Sequence, residues 1–188
     1  MTTTFKQYSI PDAPVASKSA LQDVEKALGF VPNLFATMAE SPIALECYLT
    51  LDGILAKGSF TAAERQIIQT AVSAANGCAY CVAAHSTLAN KLRASDDAIA
   101  AARGEDMAAD PRLDALIQFT HAVVRLRGHI ARAELDAFLG AGFKPAQALE
   151  VVAHVGLKTI SNYIDGFASI PLDEAFQEYR WRPVSAAA

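Results

Sequence analysis

The sequence contains few of the residues that restrict the choice of fold or compartment. Only 3 of its 188 residues are cysteine, and a chain of this length can bury a hydrophobic core without a disulfide framework. Charged residues make up 19% and hydrophobic residues 52% of the chain, which is a globular rather than a disordered composition. The net charge of −4, with scattered basic residues, predicts no surface for nucleic acid or anionic lipid.

Two kinds of segment are also missing from the sequence. No apolar run approaches the length of a membrane-spanning helix. The first residues, MTTTFKQYSIPDAPV, lack the basic-then-apolar pattern of a signal peptide. We therefore expect a cytoplasmic protein with neither nucleic-acid nor membrane partners. In that reducing compartment, paired cysteines serve catalysis or metal binding more often than structure.

No run of alternating apolar and polar residues indicates a strand, whereas helix start and stop signals recur along the chain. We expect an extended arm over residues 1–16, a single all-helical domain over 17–182 and a tail over 183–188. A helix opened by Lys144-Pro145 is apolar over much of its circumference, so it is predicted to be central or covered by another subunit. A last short helix is predicted in LDEAFQEYRW. The fold is predicted to be all-α.

The segment NGCAYCVAAHS, residues 76–86, concentrates the reactive side chains. On a helix, Cys78, Cys81 and His85 lie on one face over successive turns. Asn76-Gly77 interrupts the preceding helix, which places Cys78 in a first turn whose free N–H groups stabilise a thiolate. His85 would lie within reach to take or hold the Cys81 proton. This group suits thiol peroxide chemistry, in which a sulfenic acid condenses with the second cysteine and a reductant reopens the disulfide.

Other chemistries of a Cys-x-x-Cys segment fit less well. A c-type haem site needs histidine where Val82 stands. A thioredoxin-like site would follow a strand, and none is predicted. Zinc stays open as a rival, because the two cysteines and His85 supply three ligands. The fourth ligand would come from another helix, the candidates being Cys47, His121, His129 and His154.

The region around these residues resembles a known family. TAAERQIIQTAVSAANGCAYCVAAHS, residues 61–86, is similar to the core motif of the alkylhydroperoxidase D-like (AhpD-like) family, also called the carboxymuconolactone decarboxylase-like superfamily. VPNLFATMAESP before it and NYIDGFASIPLDEAF after it resemble the larger peroxidase-related branch. The resemblance implies a compact multi-helix AhpD-like fold, with the Cys-x-x-Cys at a helix N-terminus, that assembles into homo-trimers or homo-hexamers.

The same resemblance implies a cysteine-based hydroperoxide reductase in antioxidant defence. Cys81 matches the cysteine that attacks peroxide, Cys78 the resolving cysteine that meets the reductant, and His85 the histidine of a proton relay. No bound cofactor or metal is implied beyond the redox-active disulfide. The reductant would be a partner protein or a small dithiol, and in some family members it is a lipoyl group.

One position departs from the family pattern. By its spacing from the cysteines, the family's relay glutamate falls on Gln66, which can hydrogen-bond and orient His85 but cannot shuttle a proton. Glu64 matches a second acidic position of the branch but lies on a different helix face. Tyr80 and His154 are further candidates for lining the site, and both have ordinary packing roles as alternatives.

Two other functions stay open at this point. One is a decarboxylase-type lyase of the same superfamily, whose members do not depend on a cysteine pair. The other is a non-catalytic, redox-sensing oligomer whose disulfide state alters packing, which the glutamine at position 66 suggests.

Overall fold

The structure, a computed structural model, describes residues 4–183. It contains nine α-helices and a 3₁₀-helix within that range, and no strand. The helices are α1 (Val15–Leu28), α2 (Asn33–Met38), α3 (Pro42–Leu55), α4 (Ala62–Ala75), α5 (Ala79–Lys91), α6 (Asp96–Ala102), α7 (Pro111–Arg125), α8 (Arg132–Gly140) and α9 (Pro145–Ala168); the 3₁₀-helix covers Glu174–Tyr179. The predicted all-α fold is confirmed.

The helix boundaries follow the capping signals in the sequence. Ser41 accepts a hydrogen bond from the Ala44 backbone and is followed by proline at the first helical position of α3. Thr61 and Glu64 form a capping box at the start of α4. Asp110 begins α7 by accepting from the backbone of Arg112.

Three elements differ from the sequence-based predictions. Helix α2 was not predicted, since its six residues are too few to show a periodicity, and it begins after Pro32 without a side-chain cap. The last helix is 3₁₀ rather than α. Helix α1 begins at Val15, two residues before the predicted domain boundary, and Phe5, Tyr8 and Ile10 of the predicted arm pack on the core. Residues 1–3 of that arm and 184–188 of the tail lie outside the described residues.

Helices α4, α5 and α9 position the cysteine segment. Helix α4 packs on α5, α7, α9 and α6, and α9 also packs on α3 and α5. The buried residues of α5 include both Tyr80 and Cys81, and those of α9 include His154, Lys158 and Ser161. Polar side chains from three helices therefore meet inside an otherwise apolar core.

Part of the long helix α9 remains uncovered in the single chain. Its exposed apolar side chains are Leu149, Val152, Tyr163 and Phe167. Within residues 4–183, no helix is both long and apolar enough to cross a membrane.

Candidate active site

The connection between α4 and α5 sets Cys78 at a helix start. Gly77 adopts a positive φ of 71°, which glycine tolerates without strain, and the Cys78 backbone N–H then returns to Ser73 O at 2.9 Å. Cys78 is the N-cap residue of α5, and its Sγ accepts from the Cys81 backbone N–H at 3.3 Å. The predicted position of the Cys-x-x-Cys at a helix N-terminus is confirmed.

Cys81 lies one turn into α5 and is 1% exposed. Burial alone would raise the pKa of its thiol, but the side-chain contact with Cys78, the positive charge of Lys158 and the side-chain contact with Ser161 outweigh burial and lower this pKa to about 6. The Ser161 Oγ is 3.8 Å from the Cys81 sulfur. This lowered pKa favours the thiolate form of Cys81 near neutral pH.

Cys78 has the opposite character. Its hydrogen bond with Cys81, its burial and the negative charges of Cys81 and Asp165 raise the pKa of the Cys78 thiol. Its S–H donates to Asp165 Oδ2 at 3.2 Å. The helix start does place an N–H on the Cys78 sulfur, as the sequence reasoning supposed, yet the thiolate forms at Cys81 because a cation lies near that sulfur.

That cation is Lys158, which the sequence reasoning did not single out. It is 0% exposed and lies on α9. Its Nζ donates to the Tyr48 hydroxyl at 3.1 Å and to His85 Nε2 at 2.7 Å. Within residues 4–183, no carboxylate forms an ion pair with it. A lysine on the longest apolar helix was the signal in the sequence that could have found it.

A buried lysine without a carboxylate needs another source of negative charge. Burial disfavours the Lys158 ammonium, but the negative charge of Cys81 and the contact with Tyr48 reverse this effect and raise the pKa of Lys158. Lys158 and Cys81 therefore stabilise each other as ammonium and thiolate. Both charged groups lie in the protein interior, where their attraction is strong.

His85 joins Lys158 to the position of the missing glutamate. Its Nδ1 lies 2.8 Å from Gln66 Oε1, and its Nε2 faces the Lys158 ammonium. Since Lys158 can only donate, Nε2 is the acceptor, so Nδ1 carries the proton and donates it to Gln66. Burial and the charge of Lys158 hold the pKa of His85 well below its usual value, which keeps the ring neutral.

The resulting chain runs Gln66, His85, Lys158. Gln66 fixes the tautomer and the ring orientation of His85, as sequence reasoning allowed. Both ring nitrogens of His85 are engaged in this chain, and Lys158 is the group whose charge acts on Cys81. Direct proton transfer between His85 and Cys81 stays a prediction.

The other candidate residues lie at varied distances from this chain. Glu64 is held in its capping box and by an ion pair with Arg112, so its carboxylate serves structure. Tyr80 is buried, and its hydroxyl donates to Asp173 Oδ2 at 2.5 Å and accepts from the Leu34 backbone at 3.2 Å. His154 is 1% exposed and packs against the edge of Phe60.

The candidate zinc ligands do not converge. Within the described part of the chain, no group of three or more histidine, cysteine, aspartate or glutamate residues is placed to hold a metal ion. Cys47, a candidate fourth ligand, lies on α3 and is exposed. His129 is exposed beyond the end of α7, and His121 is half-buried on α7.

The chain's sequence identifies its relatives. Residues 46–122, which contain both cysteines, His85 and Gln66, match the model of the carboxymuconolactone decarboxylase family. This segment is therefore similar to the carboxymuconolactone decarboxylase family. The resemblance seen in the sequence is thereby confirmed. No curated protein sequence matches the chain.

Solved structures share this family fold over almost the whole chain. An alkylhydroperoxidase AhpD core structure, of an uncharacterized peroxidase-related protein from Ralstonia eutropha JMP134, is 25% identical with a TM-score of 0.83; the match covers 94% of this chain and 95% of that one. A peroxidase-related protein from Silicibacter sp. TM1040 is 18% identical with a TM-score of 0.76, covering 92% and 94%. A variant of the debrominase Bmp8, in complex with 2,3,4-tribromopyrrole, is 20% identical with a TM-score of 0.80, covering 95% and 96%.

Proposed function

We propose that this protein is a cysteine-based hydroperoxide reductase with Cys81 as its nucleophile. The observation that carries the proposal is the buried Lys158 ammonium, which forms no ion pair with a carboxylate of residues 4–183 and whose charge lowers the pKa of the Cys81 thiol. A thiolate held at neutral pH next to a second thiol is what two-cysteine peroxide reduction requires.

The first step is attack by Cys81 on the peroxide. The thiolate sulfur bonds to the distal oxygen, the O–O bond breaks, and the alkoxide leaves with the electron pair of that bond. The alkoxide takes up a proton to become an alcohol, and Cys81 becomes a sulfenic acid. Lys158 is the protonated group whose charge acts on Cys81, so it is the proposed proton source, and it regains its proton from solvent. His85 accepts a hydrogen bond from the Lys158 ammonium through Nε2 and holds that ammonium in place.

The second step is disulfide formation. The Cys78 sulfur attacks the Cys81 sulfenic sulfur, the S–O bond breaks, and the oxygen leaves as water after taking up a proton. The Cys78 thiol must lose its own proton in this step. Asp165 accepts the Cys78 S–H hydrogen bond at 3.2 Å, and burial raises the pKa of its carboxyl, which suits it to accept that proton. An external dithiol, free or carried on a partner protein, then reduces the disulfide by exchange.

We also propose that the protein is a homo-oligomer and that antioxidant defence is its role. The uncovered apolar side chains of α9 support the first part, since contiguous exposed apolar surface marks interaction sites. The family's homo-trimers and homo-hexamers are the expected sizes, which light scattering on the purified protein measures directly.

The decisive test is peroxide consumption with a dithiol reductant by the wild type, Cys81→Ser and Cys47→Ser. Cys47 is an exposed thiol, which makes it the matched control for non-specific thiol oxidation. We expect Cys81→Ser to lose activity and Cys47→Ser to retain it. Equal turnover by Cys81→Ser and the wild type would sink the proposal.

The two other functions make different predictions for the same proteins. A decarboxylase-type lyase would not need the cysteine pair, so its activity would survive the double replacement of Cys78 and Cys81 by serine. A redox-sensing oligomer would form a reversible Cys78–Cys81 disulfide with negligible peroxide turnover. The buried thiolate favours the peroxidase, because a sensor or scaffold does not require an ammonium next to one cysteine.

A further inference from the structure

A pocket of about 480 Å³ opens next to the cysteine pair. The residues on both sides of Cys78 in the chain, Gly77 and Ala79, line it, and so does Asp165, which contacts the Cys78 sulfur. The opposite wall comes from the segment after the 3₁₀-helix, Arg180–Arg182. The pocket thus lies between the residues that flank Cys78 and a distant part of the chain.

Positive charge predominates in this pocket. Arg180 and Arg182 both line it and both are exposed. Arg180 donates through Nε and Nη2 to Gln177 Oε1, at 3.1 and 2.8 Å, and Arg182 has no hydrogen bond or ion pair to residues within 4–183. The one carboxylate of the lining, Asp165, is already engaged by the Cys78 thiol and the Ile170 backbone N–H. The pocket therefore has two guanidinium groups and only one carboxylate, and that carboxylate already accepts two hydrogen bonds.

Trp181 adds an independent sign of a ligand. Its side chain is 6% exposed and lines the pocket, and its indole Nε1–H is buried without a hydrogen-bond partner within the described chain. An unsatisfied buried donor is costly unless something accepts from it, and indole N–H groups usually have a partner when buried. A carboxylate in the pocket would supply both an acceptor for Trp181 and a partner for the arginines.

We propose that this pocket binds the carboxylate of an anionic thiol reductant and presents the thiol to Cys78. The inference rests on the proposed function, because it assigns the chemical class of reductant for the same cysteine pair. Arg182 and Arg180 are the specificity-determining residues, and the negative end of the reductant is what they recognise.

A dithiol reductant reduces the Cys78–Cys81 disulfide in two exchange steps. One thiol loses its proton to solvent and attacks Cys78 Sγ; the Cys78–Cys81 bond breaks, and Cys81 leaves as the thiolate next to Lys158. The second thiol then attacks the reductant sulfur that is bonded to Cys78, and Cys78 leaves and takes up that thiol's proton by way of Asp165. The reductant loses two electrons and becomes a disulfide, and the protein regains one thiolate and one thiol.

The test measures this half-reaction without any peroxide. The protein is first oxidised to the Cys78–Cys81 disulfide with a diazene oxidant, and the rate of its reduction is followed with dihydrolipoate and with dihydrolipoamide. These dithiols differ only in a carboxylate or carboxamide end, so their rate ratio isolates the charge. Arg182→Gln is the main variant, Arg180→Gln the second, and Arg93→Gln, an exposed arginine beyond the other end of α5, the control.

We expect the wild type and Arg93→Gln to react about tenfold faster with the carboxylate form, the gain of one charge-assisted contact. In Arg182→Gln this preference should fall to below about threefold, because the rate with dihydrolipoate falls more than the rate with dihydrolipoamide. Equal rates for the two dithiols in the wild type, or an undiminished preference in both arginine variants, would overturn the proposal. Because peroxide is absent, these outcomes are independent of whether Cys81 reduces peroxide.

Discussion

Gln66 Oε1 and His85 Nδ1 are joined by a hydrogen bond of 2.8 Å, which leaves His85 Nε2 to accept from the Lys158 ammonium. A glutamine at this position therefore fixes a neutral histidine in one tautomer. A glutamate would instead favour the charged imidazolium. The three side chains form an amide–histidine–ammonium arrangement, in which the positive charge resides on Lys158.

Replacing Gln66 tests whether its hydrogen bond to His85 affects the reactivity of Cys81. Gln66→Ala leaves His85 without its orienting acceptor, and we expect the alkylation rate of Cys81 at pH 7 to fall about three- to tenfold, the loss of one hydrogen bond. Gln66→Glu keeps the bond and should raise the pKa of His85, visible in the histidine titration by NMR. An alanine variant with unchanged Cys81 reactivity would show that the Gln66–His85 bond is irrelevant to the thiolate.

Lys158→Met removes the cation while keeping an unbranched side chain of similar length. The pKa of Cys81, lowered to about 6 with help from Lys158, should rise by at least two pH units because burial then acts without compensation. Iodoacetamide alkylation of Cys81 followed between pH 5 and 9 should show its midpoint near pH 6 in the wild type and above pH 8 in the variant. At pH 7 the rate should drop about tenfold or more.

Lys91→Met is the matched control for that experiment. Lys91 lies exposed in the last turn of α5, so its removal changes the net charge equally without touching Cys81. If both lysine variants moved the alkylation midpoint by the same amount, a general surface-charge effect would explain the result. The assay uses a Cys47→Ser background so that the exposed thiol does not contribute.

Asp165→Asn tests whether Asp165 accepts the Cys78 proton when the disulfide forms. The asparagine can keep the hydrogen bond from the Ile170 N–H through its oxygen but cannot accept a proton. We expect the Cys81 sulfenic acid to last longer after one equivalent of peroxide, about tenfold, measured by dimedone trapping and mass spectrometry. Asp23→Asn, an exposed change on α1, should leave the lifetime at the wild-type value. Faster disulfide formation in Asp165→Asn would mean that its negative charge hinders Cys78 more than its basicity helps.

The buried histidines predict how stability depends on pH. Burial and the charge of Arg65 lower the pKa of His154 to about 4, below its usual value of 6.5. Between about pH 6.5 and about pH 4, this histidine therefore takes up a proton in the unfolded chain but not in the folded chain. The free energy of unfolding decreases as pH falls through this range, by up to about 1.4 kcal/mol per pH unit. Urea titrations of His154→Leu should show a shallower pH dependence than those of His129→Leu, whose histidine is exposed. Equal slopes would contradict the assignment.

The sequence was informative where one local segment carried the signal. Asn76-Gly77 predicted the break before α5, and the one-turn spacing of the cysteine segment predicted that Cys78 lies at the start of that helix. Lys158 was not found, because it is 77 residues from Cys81 in the chain and only the packing of α9 on α5 brings them together. The hydrogen-bond partner of Cys78, Asp165, was missed for the same reason, since it lies about two turns beyond Lys158 on α9.

The thiolate location shows the limit of arguments from one helix. The N-terminus of α5 favours a negative charge at Cys78, and α5 alone would therefore place the thiolate there. Lys158 belongs to another helix. The full charge of its ammonium lowers the pKa of Cys81. A full charge acts more strongly than the partial charge that the end of α5 places near Cys78. Asp165, from the same second helix, adds a negative charge next to Cys78 and acts against a thiolate there.

The absence of a carboxylate partner for Lys158 within residues 4–183 also links charge to oxidation state. When Cys81 enters the disulfide, its negative charge disappears, and the buried ammonium loses the group that compensates it. The oxidised protein must then release a proton from Lys158 or keep an uncompensated cation in its interior, and either course costs free energy. The reduced form is stabilised by comparison, so the Cys78–Cys81 couple should be a stronger oxidant than an unassisted dithiol, and its midpoint potential should depend on the protonation of one lysine.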